Sequence, residues 1–285
     1  MDRGGFCIFA SDLDQTLIYS GRSFATEGDL AAVSPVEFKD GREVTYMTKR
    51  AIVQLRKLVR KVLFIPVTTR TIEQYRRIVI FQEMIIPKYA VTSNGGNILI
   101  QGQPDLEWNR RVRESVRQGC LPLTEILENF NKLKQAEWFL TDRIADDLFY
   151  YCVVKREKIP EPEIAAFGQW AKEGGWHLSI QNRKIYFVPA MVSKVKAINY
   201  IRGREQISGL VAAGDSLLDL DMLQSADFAL APPHGEIYRL FTQGGLEGLK
   251  LNFTKATGIL SSEEILDEVL CYYEGQNNGR RKVEF

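Results

Sequence analysis

Histidine is nearly absent from this sequence, which holds only His177 and His234. Cysteine is scarce too. Cys7, Cys120, Cys152 and Cys271 stand far apart and form no C-x-x-C pair. Their spacing offers neither a zinc motif nor a disulfide framework, so buried reduced thiols in a cytosolic protein are expected. An excess of one charge is also missing, with 37 basic against 36 acidic residues and a formal net charge of +1. A nucleic-acid binder carries a basic excess or a basic stripe. No nucleic-acid partner is therefore expected, and the short runs Arg110, Arg111, Arg113 and Arg280 to Lys282 read as solvated faces. No apolar run approaches the ~18 residues of a membrane span. The apolar stretch Phe6 to Ala10 is too short for a signal core and meets Asp12 at once. A cytoplasmic protein with no membrane partner is expected, and oligomeric state stays open.

What is present is an ordinary globular composition, 45% apolar and 26% charged over 285 residues. That length suits one large α/β domain, or a core with a smaller inserted one. Phe6 to Ala10 is continuously apolar, the pattern of a strand buried on both faces of a parallel sheet. Thr48 to Lys61 repeats apolar residues at helical spacing, Val62 to Val67 reads as a second buried strand, and Ile72 to Phe81 as a helix. Tyr89 to Thr92 is a third strand, closed by the turn Ser93-Asn94-Gly95-Gly96.

The rhythm then changes. Helix-strand-strand occurs twice: Leu121 to Lys134, Glu137 to Leu140 and Asp147 to Val154, then Pro162 to Lys172, Trp176 to Ile180 and Lys184 to Val188. That suits an antiparallel sheet with helices on one face, inserted as a small α+β domain over 104–189 between core segments 1–103 and 190–285. The α/β alternation resumes with helix Val195 to Ile201 and strand Gly209 to Ala213. Helix Leu217 to Gln224, strand Phe228 to Ala231 and a closing helix Ser261 to Tyr272 follow, the last with Ser261 or Ser262 as its cap. The fold class is α/β, a doubly wound and mostly parallel sheet with an inserted cap.

Chemistry-bearing residues fall at the ends of the buried strands, where ligand sites of open parallel sheets lie. Asp12-Leu13-Asp14-Gln15-Thr16 follows the first strand. Two carboxylates so close call for a cation or a proton between them, and magnesium favours such oxygen donors. An aspartate can attack phosphorus while a second acid handles the leaving-group proton. Thr68-Thr69-Arg70 ends the second strand, with hydroxyls and backbone N–H groups suited to a phosphate. Lys194 stands where the core resumes, placed to offset transition-state charge. Gly214-Asp215 follows a buried strand, and Asp219 lies one helical turn further on.

In this order, Asp12-x-Asp14-x-Thr16, Thr68 with Arg70, Lys194, and Gly214-Asp215-x-x-x-Asp219 resemble the four motifs of haloacid dehalogenase (HAD) phosphatases. Asn94-Gly95-Gly96 and the doubled helix-strand-strand insert resemble the Cof-type subgroup with its C2 cap, as in sucrose-phosphate phosphatases. The resemblance implies Asp12 as nucleophile and metal ligand, and Asp14 as acid/base that touches the metal through its carbonyl. It implies Thr68, or Thr69 in its stead, on the phosphoryl group, with Arg70, Asn94 and Gly95 beside the substrate. Lys194 would hold nucleophile and phosphate together, Asp215 would ligate Mg2+, and Asp219 would support its water shell. The implied reaction is hydrolysis of a small phosphate ester, a sugar phosphate first. Two positions depart from the family pattern: Thr69 replaces the glycine of Thr-Gly-Arg, and Leu218 replaces an asparagine before Asp219. A phosphotransferase or mutase remains open, as does a lapsed binding protein marked by Leu218. Arg143, Arg156 and Arg183 are scattered along the insert, which favours hydrolysis over a mutase needing clustered arginines. A structural role is expected for His177 and solvent exposure for Arg50, while Arg183 and Lys184 at a strand turn are not expected to reach an anionic substrate, and His234 is a candidate for the pocket wall.

Overall fold

The computed structural model describes residues 7–24, 32–181, 183–246 and 248–281. β1 (Cys7–Ser11) is its axis: Ile8, Phe9 and Ala10 are fully buried, as a strand covered on both faces must be. β5 (Leu63–Pro66) lies parallel on one side and β13 (Gly209–Ala213) on the other, so that Ile8 faces both Leu63 and Leu210. β14 (Phe228–Ala231) and β15 (Asn252–Phe253) extend the sheet in the order β15-β14-β13-β1-β5, all parallel. β6 (Tyr89–Thr92) joins the far side through a parallel bridge between Val67 and Val91. It also opens an antiparallel set with β7 (Asn97–Ile100) and β8 (Gln103–Pro104). The expected strands at 89–92, 209–213 and 228–231 match residue for residue.

Helices cover both faces. α1 (Lys49–Leu58), capped by the Thr48 hydroxyl, packs beside α9 (Ser261–Arg281). α6 (Lys194–Glu205) and α7 (Leu220–Gln224) lie on the other face, where Ile198, Ile201 and Met222 join one buried cluster. α8 (Glu236–Thr242) follows β14. The closing helix is longer than the apolar periodicity suggests. It is entered through a 3₁₀ turn at 258–260, so Ser261 and Ser262 are not its caps; their hydroxyls donate to the Ala256 and Ile259 carbonyls.

The sequence reading expected a helix over Ile72 to Phe81, but α2 (Ile72–Arg76) stops early and a wider π turn follows at Ile80–Met84. Ile78 pairs instead with Glu37, and a residue bridged to a strand cannot continue a helix. Glu37 belongs to an antiparallel flap that periodicity had not disclosed: β2 (Tyr19–Ser20), β3 (Val33–Lys39) and β4 (Arg42–Thr48). β3 and β4 are joined by Asp40-Gly41, both at positive φ, a two-residue hairpin turn. Arg50, just beyond, is exposed as expected and pairs with Glu263 and Asp267 of α9.

α3 (Leu106–Gly119) was also unforeseen. It is capped by the Asp105 carboxylate and buries only Trp108 and Val112, too narrow a stripe to read against its charged residues. Those two side chains pack within the core cluster of Ile98, Ile198 and Ile201, and Arg110, Arg111 and Arg113 are exposed as expected.

The inserted sheet is antiparallel, in the order β11-β12-β10-β9. Its strands are β9 (Phe139–Ala145), β10 (Phe149–Val154), β11 (Trp176–Gln181) and β12 (Lys184–Pro189). The strand expected at Glu137 to Leu140 begins two residues late, because Gln135 to Trp138 turns to bury Trp138. Beyond it, the largely exposed edge run Thr141-Asp142-Arg143 hid the rest of β9. α4 (Leu123–Asn131) and α5 (Glu161–Glu173) cover one face of this sheet around Phe130, Trp138 and Phe187. The other face carries Tyr151, Val153, Lys184 and Tyr186 in cross-strand pairs, and these four line the cavity against the core. A latch tethers it: the Asp146 carboxylate accepts from Ser93, from Asn97 Nδ2 at 2.9 Å and from the Ile72 N–H at 3.1 Å.

Phe130 is fully buried and meets the rings of Trp138, Tyr150, Phe167 and Phe187 at 4.6–6.0 Å between centroids. Phe130→Ala is expected to cost about 3–5 kcal/mol in urea unfolding. A loss below 1 kcal/mol would show that this aromatic set is not the core of the insert.

Candidate active site

β1 ends at Ser11, so Asp12 emerges from the middle of the sheet, its N–H held by the Ala213 carbonyl at 2.9 Å. β13 ends beside it and delivers Asp215 and Asp219. Oxygens of Asp12, Asp215 and Asp219 lie within 4.8 Å of one another. Lys194, the first residue of α6 and 2% exposed, reaches between them. Its Nζ donates to Asp12 Oδ1 and to Asp219 Oδ1, each at 2.6 Å. The second oxygen of Asp219 accepts from the Ser216 N–H at 3.0 Å and hydroxyl at 2.9 Å.

This is a desolvated cluster of three carboxylates with a single lysine, two more acids than its one cation balances. Burial drives the Asp12 carboxyl up to about 7, against the pull of Lys194 and with a further push from Asp219 and Asp14. Burial raises Asp215 still more strongly, helped by Asp12 and Asp219. The same surroundings hold the Lys194 ammonium charged, since its two carboxylates outweigh burial. The donor set fits a hard cation: clustered carboxylate oxygens short of positive charge, with both Asp219 oxygens occupied and those of Asp215 still available.

Asp14 points the other way. Arg70 grips it with two hydrogen bonds, Nε to Oδ2 at 2.7 Å and Nη2 to Oδ1 at 2.8 Å. Burial would raise its carboxyl, but Arg70 outweighs burial and holds it below the usual carboxylate range. Arg70 is itself anchored by Glu37, fully buried on the flap, through an ion pair at 2.8 Å rather than an aligned hydrogen bond. Arg77 at 3.1 Å and the Thr45 hydroxyl at 3.2 Å complete the surroundings of Glu37. The sequence reading missed Glu37. The Asp40-Gly41 hairpin signal three residues on was the available clue that a strand ran through it.

Asp12, Asp14, Thr69, Arg70 and Asp215 all line one cavity of about 900 Å³ beneath the insert. Thr68 is buried behind them and accepts the Arg70 N–H at 3.2 Å. Asn94 and Gly95, expected beside the substrate, do not line it. Gly95 lies against the start of α6 at φ +96, where a Cβ would fall 2.2 Å from the Ser193 carbonyl oxygen. Asn94 Nδ2 donates to the Val192 carbonyl at 3.4 Å. Both residues thus set the height of Lys194 rather than face the cavity. His234 does line it, donating from Nε2 to the Gln15 carbonyl at 2.9 Å while Nδ1 accepts the Gly258 N–H. His177 is exposed, and Leu218 is half-buried.

The insert's basic residues are not scattered in space. Arg156, Arg183 and Lys184 line the same cavity, the latter two while remaining exposed and contrary to the expectation that they lie away from the substrate, whereas Arg143 stays outside it. Sequence separation concealed this, because strand pairing brings Lys184 opposite Val153 and Tyr186 opposite Tyr151.

A parallel sheet with paired aspartates at its central strand end, a buried lysine and a lidded cavity defines the HAD phosphatases, and this chain is one. Its residues 6–230 match the family model described as sucrose-6F-phosphate phosphohydrolase, and the chain belongs to that family. The sucrose-phosphatase of Synechocystis sp. PCC6803, solved with sucrose and phosphate, superposes with a TM-score of 0.66 at 14% identity, covering 94% of this chain and 98% of that one. A haloacid dehalogenase-like hydrolase from Bacillus subtilis gives 0.51 at 15%, covering 92% and 89%. A trehalose-6-phosphate phosphatase related protein gives 0.52 at 14%, covering 94% and 99%. At such identities the likeness is one of fold. A search of curated proteins by sequence finds no match. Among the described residues, no helix is long and apolar enough to cross a membrane.

Glu37 is the hub of a buried ionic network, so Glu37→Gln leaves the Arg70 charge undercompensated. It is expected to cost about 3 kcal/mol in urea unfolding. An effect within 0.5 kcal/mol would show that Arg70 does not depend on the flap.

Proposed function

We propose that this phosphatase hydrolyses a sugar phosphate monoester with Mg2+, through an aspartyl phosphate on Asp12, with residues 104–189 acting as the cap. The observation that carries this reading is the split character of the two aspartates. Asp12 is held by Lys194 beside a carboxylate cluster, and Asp14, two residues on, is turned toward Arg70 and the cavity. One is placed to attack and the other to move a proton. A volume of about 900 Å³ accommodates a sugar ester.

Asp12 Oδ2 attacks phosphorus, and the alcohol leaves. Asp14 gives the leaving oxygen its proton and later takes one from the water that cleaves the aspartyl phosphate. The Arg70 pair favours ionised Asp14, while the negative charge of a bound phosphate pushes its carboxyl back up toward the protonated form. Lys194 keeps Asp12 oriented and offsets charge on the phosphoryl oxygens. Thr69, at the cavity wall, is the better placed of the two threonines to donate to the phosphoryl group. Asp12 and Asp215 would hold Mg2+, with Asp219 supporting its water; the ion would neutralise the charge these groups share with the phosphate.

Transfer to a second sugar hydroxyl is the other reading, favoured by the convergence of Arg156, Arg183 and Lys184. Hydrolysis releases inorganic phosphate in step with alcohol, whereas transfer yields an isomeric ester and no phosphate.

Asp12→Asn is expected to lower phosphate release by at least about 10⁴-fold with the fold retained by circular dichroism. Retained turnover would remove Asp12 as nucleophile. Magnesium should also stabilise the protein in a pH-dependent manner. In chelator, the raised Asp12 carboxyl contributes stability below its ordinary value of 3.8 that is lost as pH rises toward about 7. Magnesium competes with that proton, so the rise in Tm it brings should be small near pH 5 and larger near pH 8, where free magnesium at a hundred times Kd would add about 2.7 kcal/mol of stability. An increment independent of pH, or one unchanged in Asp215→Asn, would count against this metal site.

A further inference from the structure

The cavity has two walls of different charge. The core wall carries the carboxylates, each with a cationic partner or a place in the metal cluster. Asp14 is fully engaged by Arg70, and Glu37 by Arg70 and Arg77. The cap wall presents Tyr151, Val153, Arg156, Arg183, Lys184 and Tyr186. Among the described residues, no carboxylate of the cap lines this cavity. Arg156 shares an exposed pair with Glu161, and Arg183 and Lys184 have no ion pair among the described residues.

Lys184 is moreover a prepared cation. Its Nζ lies 5.3 Å from the Tyr151 ring centroid and 5.9 Å from that of Tyr186, so two aromatic faces hold it in place. Lys184 and Asp14, the group read above as the proton donor to the leaving oxygen, line the same cavity. A neutral sugar gives two or three convergent cations nothing to balance, and holding them together without an anion costs repulsion.

We propose that the leaving alcohol of this enzyme's substrate carries a second anionic group, a carboxylate or another phosphate, bound by Lys184 and Arg183 of the cap. The inference rests on the hydrolase reading above and narrows its substrate class from sugar phosphates in general to those with a charged remote end. Arg and Lys donors toward a carboxylate or phosphate make charge-assisted hydrogen bonds, each strong enough to change selectivity about tenfold or more.

The test is kcat/KM with magnesium on matched esters: glucose 6-phosphate and sucrose 6-phosphate as neutral-ended probes, 6-phosphogluconate for a carboxylate, and glucose 1,6-bisphosphate for a second phosphate. A charged-ended ester is expected to be favoured by tenfold or more, and which one leads identifies the anion. Lys184→Gln and Arg183→Gln should each reduce that ratio about tenfold, and Lys184→Arg should keep most of it. Equal or better turnover of the neutral probes overturns the proposal, as does an equal loss on all esters in the variants, which would place these cations on the transferred phosphoryl group instead. Aryl phosphate turnover checks the hydrolase reading separately. Should no ester release phosphate, the same ratios are read as Kd by calorimetry, and charged esters binding no tighter than neutral ones overturn the proposal by that route.

Discussion

The Lys194 ammonium, out of water between Asp12 and Asp219, is the interaction around which the rest is arranged. A buried lysine is tolerable only where carboxylates meet it at short range, and buried carboxylates only where a cation meets them. These groups come from three elements: the end of β1, the turn after β13 and the start of α6. Misplacing any of them would leave an uncompensated charge inside the sheet. The parallel register of β1 with β13 and the close approach of Gly95 to Ser193 are the backbone conditions that keep the lysine at its height.

The cavity joins two recognition problems. Its floor is built for charge that changes during a reaction: a cluster with acid groups pushed upward, and Asp14 pulled downward by Arg70. Its roof presents the aromatic rings of Tyr151 and Tyr186 and the cations Arg156, Arg183 and Lys184. The flap closes one side by anchoring Arg70 through Glu37.

Much of the floor was legible in the sequence, because buried strands announce themselves by continuous apolar runs and the acidic residues stand directly after them. Asp12, Asp14, Arg70 and Asp215 were found in this way and share one cavity. What escaped was whatever depends on pairing between distant segments. Glu37 reads as an unremarked acid until the flap sets it against Arg70 and Arg77. Arg156, Arg183 and Lys184 look dispersed until strand pairing brings their segments to one cavity wall. Asn94 and Gly95 fit a substrate loop by position, yet their backbone is spent on supporting α6. The helix expected through Phe81 failed for the same reason, since a bridge from β3 claims Ile78.

Residues 93–97 touch two systems at once. On one side Ser93 and Asn97 hold the Asp146 carboxylate of the insert; on the other, Gly95 abuts the residue that precedes Lys194. Roof and floor therefore share a single five-residue fulcrum. A displacement of Asp146 would therefore bear on the same short stretch of backbone that packs against the start of α6, the helix that carries Lys194.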